Sequence, residues 1–157
     1  CIRDRNYWNM WRNINDSVAV HHIHYGGVFM IEGEWGDFVP VRLPVEWEYR
    51  GEAGIHPEIE GVTGKSVVII IEKKFTKFER LLAKILRAPK TVRRTMHSTQ
   101  SMLWELMDGE RNFQEICEIM ESLYHEDIAP VEERMKAYLE VFVRLNVATV
   151  FKPKEEE

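Results

Sequence analysis

Between Thr99 and Leu145 the apolar residues recur at spacings of three and four in three short runs, cut by Asp108-Gly109 and again just ahead of Pro130. That spacing marks helices with one buried stripe, so this stretch is expected to fold as three helices that share a core. The first is expected over about Thr99 to Met107, burying Met102, Leu103, Leu106 and Met107, with Asp108-Gly109 as its stop. The second opens at Asn112, where Asn112 and Glu115 stand in capping-box relation, and it buries Phe113, Ile116, Cys117, Met120 and Leu123. The third starts near Ala129 with Pro130 in its first turn and carries Val131, Met135, Tyr138, Phe142 and Leu145 on one face. Ala148 to Phe151 then reads as a closing strand, and residues 153–157 as a solvated acidic tail.

Upstream the pattern changes to β. Val18 to Tyr25 and Val28 to Ile31 flank Gly26-Gly27, a pair that tolerates the positive φ angles of a hairpin turn. Val39 to Arg50 reads as an extended segment interrupted by Pro40 and Pro44, with Glu46 and Glu48 on a solvated face opposite Val45, Trp47 and Tyr49. Gly51 to Gly64 reads as a loop and Ser66 to Lys74 as a stronger strand. Phe75, Phe78, Leu82, Ile85 and Leu86 share one face of a basic amphipathic helix, expected over 75–88 and stopped by Pro89. Lys90 to Met96 is a further short strand containing Val92, Arg93 and Arg94. The fold class is therefore α+β. An N-terminal β-rich hairpin extension, residues 1–38, precedes one module over 39–152 built from a small antiparallel sheet and three helices.

Charge is segregated along the chain. Residues 72–96 hold nine Lys and Arg against two acidic residues, whereas residues 97–152 hold eleven acidic against five basic ones. The longest apolar run, Val67 to Ile71, is far short of the about 20 residues that cross a bilayer, and no basic-then-apolar leader opens these residues. A cytoplasmic protein with no membrane span is expected. Cys1 and Cys117 lack any paired spacing, so neither a disulfide framework nor a zinc ribbon is indicated.

The run MLWELMDGERNFQEICEIM, Met102 to Met120, followed by an acidic helix ending in LNVATV, resembles the PqqD family of pyrroloquinoline quinone biosynthesis proteins. The shared features are Trp104-Glu105-Leu106 approaching a helix end, the Asp108-Gly109 stop, Arg111, and the apolar pair Phe113 and Ile116; the likeness covers about 91–151. It implies a winged-helix-like, non-catalytic, cofactor-free peptide chaperone. In such proteins a precursor's leader peptide adds as a strand to a sheet edge and is presented to a separate modification enzyme, often of the radical S-adenosylmethionine type. Carried onto this chain, the docking strand is Lys90 to Met96, with Val92, Arg93, Arg94 and Thr95, and the neighbouring wall is the third helix with Arg134, Tyr138 and Val141. An unpaired strand edge suits that use, since it offers regularly spaced N–H and C=O groups to an extended chain. Proline at Val92 or Arg94 is the corresponding test, because it removes a ladder donor.

Three other readings compete with this one. His22 and His24 share a face of the hairpin and, with Glu32, form a weak metal-ligand set in a structural or regulatory module whose sheet edge is sealed. A second copy pairing through the same edge would make a homodimer. A winged-helix nucleic-acid binder is opposed by Glu115, Glu118, Glu121, Glu132, Glu133 and Glu140 on the second and third helices, which repel a duplex. Gly61 and Gly64, followed by Lys65, lack the remainder of a phosphate loop.

Overall fold

A computed structural model describes residues 35–54, 58–72, 84–85 and 89–153. The expected N-terminal hairpin, with His22, His24 and Glu32, lies outside the described residues, as does the basic helix apart from Lys84 and Ile85, which are helical.

The described chain is α+β. After a 3₁₀ turn at Trp35–Asp37 come β1 (Val39–Arg42), β2 (Glu46–Arg50), β3 (Ser66–Glu72) and β4 (Thr91–Thr95). Three helices follow, α1 (Ser98–Leu106), α2 (Phe113–Tyr124) and α3 (Val131–Arg144), and β5 (Ala148–Phe151) closes the order. The strands form two antiparallel sheets, β1-β5 and β2-β3-β4. The extended segment around Pro40 and Pro44 is thus two strands belonging to different sheets.

Local chemistry accounts for the boundaries. Asn112 accepts from the Glu115 amide at 2.8 Å while the Glu115 carboxylate accepts from the Asn112 amide at 2.8 Å, completing the capping box that starts α2. At the end of α3, Asn146 takes a left-handed φ of 57°; its amide donates to Val143 and that of Val147 to Phe142. This is a Schellman closure, and it turns the chain into β5. There Val39 pairs with Phe151 and Arg42 with Ala148. Leu43 donates to Val147 in the same register, so the position of Pro40, which has no N–H, faces away from β5 and costs the ladder nothing.

The core lies between the helices and the inner faces of the strands. Trp104 of α1 is fully buried and meets Trp47 of β2 and Phe142 of α3, both edge-on, at 6.1 and 5.7 Å. On α3 the fully buried positions include Leu139 beside Met135 and Phe142, while Val131, Tyr138 and Leu145 flank them half-buried. The stripe is rotated slightly from the expected one.

Ser101 splices helix to sheet. Met96 donates to the Val67 carbonyl at 2.9 Å, but the Val67 amide donates to Ser101 Oγ at 3.0 Å instead of to Met96, and that hydroxyl donates to the Met96 carbonyl at 3.5 Å. The β3–β4 ladder therefore ends on a buried α1 side chain. Ser101→Ala strands the Val67 amide and is expected to cost about 1–3 kcal/mol, read as a lower urea midpoint at unchanged slope; an unchanged midpoint contradicts the splice.

Candidate functional site

The features that hold β4 in place are set by α1. Glu105 is 2% exposed, yet its carboxylate accepts from the Thr63 amide at 3.0 Å, the Thr63 hydroxyl at 2.6 Å and the Gly64 amide at 3.0 Å. A charge-assisted cluster of this kind offsets the cost of burying a carboxylate. Gly64 has φ of 68°, and a Cβ at Gly54 would stand 2.5 Å from the Gly64 carbonyl oxygen, so the two glycines let the loop fold back on itself. Gly61 and Gly64 thus serve a turn clamped by Glu105. Arg111 ties the same loop, pairing with Asp108 and donating to the Glu60 carbonyl at 3.0 Å. Burial, and after it the nearby Glu105 carboxylate, pushes the Tyr49 hydroxyl up to about 12. Burial likewise pushes the Cys117 thiol up to about 12, keeping it an inert core group.

From this clamp β3 emerges and carries β4. The register pairs Ile71 with Val92, Ile70 with Arg93, Ile69 with Arg94 and Val68 with Thr95. Directly opposed residues share a face of the sheet. Val67, Ile69 and Ile71 pack on the helical side, so Val92, Arg94 and Met96 lie on that side, and Thr91, Arg93 and Thr95 lie on the outer one. Met96 is 5% exposed, whereas Thr91 through Thr95 are all exposed and Val92 retains 42% of its surface.

Backbone parity follows from the same register. Because the Met96 amide donates to Val67, the hydrogen-bonded pairs on β4 are at Met96, Arg94 and Val92. The N–H and C=O groups of Thr91, Arg93 and Thr95 therefore point away from β3, and β4 ends the sheet among the described residues. Proline at Val92 or Arg94, the test expected from sequence, would break the protein's own ladder; the outward donors belong to Thr91, Arg93 and Thr95.

The two arginines have different surroundings. Arg93 reaches across β3 on the outer face to pair with Glu48 of β2. The Arg94 side chain has no ion-pair or hydrogen-bond partner among the described residues. Of the expected wall, Arg134, Tyr138 and Val141 share a stripe of α3 by helical spacing. Tyr138 meets the first turn of α1, its hydroxyl accepting from Thr99 Oγ1 at 3.5 Å. Arg134 is turned elsewhere, donating to the Asp127 carbonyl at 3.1 Å and bracing the 3₁₀ turn His125–Ile128. Val141 is half-buried, and its carbonyl accepts from Leu145.

The class defined by these features is an α+β protein with a three-stranded antiparallel sheet whose terminal strand is exposed. No helix among the described residues is long and apolar enough to cross a membrane. In comparisons with protein-family models, curated proteins and solved structures, nothing matches this chain.

The clamp is directly testable. Glu105→Ala leaves the Thr63 and Gly64 donors without their acceptor and is expected to lower stability by about 2–3 kcal/mol in chemical denaturation, with Glu105→Gln losing about half as much. A loss below about 0.5 kcal/mol for the alanine variant, the range of an ordinary surface change, contradicts it.

Proposed function

We propose that this chain is a non-catalytic peptide-binding module, in which an extended segment of a precursor peptide adds to the open side of β4 and is thereby presented to a separate modification enzyme. The observation that carries this reading is the outward set of amides and carbonyls at Thr91, Arg93 and Thr95 on a strand exposed along its whole length. An incoming strand satisfies those groups in the pattern by which sheets accept peptides. The resemblance of residues 91–151 to the PqqD family supports the same edge. Tyr138 of α3, whose hydroxyl accepts from Thr99 at the start of α1, is assigned to the side wall. Charge on the strand also blunts self-association of a free edge, which suits an edge kept open for a particular partner.

Thr95→Pro is the discriminating variant. Its missing N–H faces outward, and the residue before a proline favours the extended region that a strand already occupies, so the fold is expected to survive. Binding of precursor peptides encoded beside the gene, followed by calorimetry on the full chain, is expected to be abolished in Thr95→Pro. Val92→Pro instead removes an internal ladder bond and is expected to destabilise the protein by about 1–3 kcal/mol. Undiminished binding by folded Thr95→Pro sinks the assignment of the site to this edge.

A further inference from the structure

Resting on that edge reading, we infer that the recognised strand carries an acidic side chain opposite Arg94 and an apolar side chain opposite Val92, two residues apart. On β4 these are the two exposed side chains on the helical side of the sheet, flanking the outward backbone groups of Arg93. With hydrogen-bonded pairs at Thr91, Arg93 and Thr95, an antiparallel partner places the residues facing Arg94 and Val92 in non-hydrogen-bonded pairs. There the side chains approach most closely, with Cα atoms about 4.5 Å apart. The partner meets Arg94 first and Val92 two residues later, so from its N-terminus it reads acidic, any residue, apolar.

Charge assigns the acidic position to Arg94 rather than to Arg93. The Arg93 guanidinium is engaged by Glu48, whereas Arg94 is exposed and no carboxylate among the described residues pairs with it. Lys90, exposed just before the strand, adds to the positive field, so the edge is selective for negative charge at that end. Two other occupants fit less well. A second copy pairing along the full strand, Thr91 against Thr95, places Arg93 directly opposite its own copy, and like charges in that position are destabilising. A nucleic acid accepts from the outward amides but offers the outward carbonyls of Thr91, Arg93 and Thr95 no regular donor ladder, and α2 and α3 present Glu115, Glu118, Glu132 and Glu133.

The test uses the full chain and two labelled threonine-rich peptides, one containing Glu-Thr-Leu and the other Lys-Thr-Leu, with fluorescence anisotropy as the readout. Wild type is expected to bind the Glu peptide about fivefold or more tightly than the Lys peptide, and Arg94→Glu to reverse the order. Arg94→Gln, which keeps a polar hydrogen-bonding side chain without the charge, is expected to abolish the preference, and Thr95→Pro to abolish binding of both peptides. Equal binding of the two peptides that is lost in Thr95→Pro overturns the Arg94 assignment while leaving the edge reading intact. A Glu preference that survives Thr95→Pro overturns it as well, since the attraction then needs no strand pairing. Binding of neither peptide overturns both readings, and tighter binding of a single-stranded oligonucleotide than of the Glu peptide replaces the acidic peptide with a nucleic acid.

Discussion

The buried carboxylate of Glu105 joins the helical layer to the loop ahead of β3. Glu105 sits on α1 between Trp104, which packs against β2 and α3, and Leu106, which is fully buried, and it accepts from the loop that delivers β3. One turn earlier on the same helix, Ser101 closes the β3–β4 ladder at that same end, where β3 begins and β4 stops. α1 therefore determines where β3 begins and where β4 stops. Since β4 is exposed along its length and contacts the sheet through β3, its outward groups have a fixed parity because α1 fixes the register. The candidate site is soft in its own packing and firm in its support, the arrangement expected of an edge that accepts a guest strand.

Much of the helical half was legible because its signals are local. The Asn112 and Glu115 pair, the Gly109 stop and the apolar stripe of α2 each need only a few neighbouring residues to be read, and each reappears in the fold. Features that depend on distant partners were not legible. Nothing near Pro40 announces that β1 pairs with β5 at the other end of the described chain, so Val39 to Arg50 read as one interrupted segment. Glu105 contributed to a resemblance, while its role as an anchor is visible once Thr63 and Gly64, some forty positions earlier, are brought to it. A carboxylate flanked by Trp104 and Leu106 in an otherwise apolar run was the available signal, and the left-handed glycines were the other half of it.

The edge itself shows the same division. Alternation along a strand puts Arg93 and Arg94 on opposite faces, so one of them at most can meet acidic side chains in a groove. Deciding which one required the register against β3 and the position of Glu48. Backbone parity was beyond the sequence altogether, since it hangs on the Met96 to Val67 hydrogen bond. For that reason proline at Thr95, and not at Val92 or Arg94, probes the outer side of β4.

Amide hydrogen exchange of the apo protein, resolved by NMR along β4, tests the open edge most directly. Alternating behaviour is predicted: slow exchange at Val92, Arg94 and Met96, whose amides face β3, and fast exchange at Thr91, Arg93 and Thr95, whose amides face outward. Protection of all six amides in the apo state would mean that the outer side of β4 is already paired within the protein, and would contradict a peptide-accepting edge.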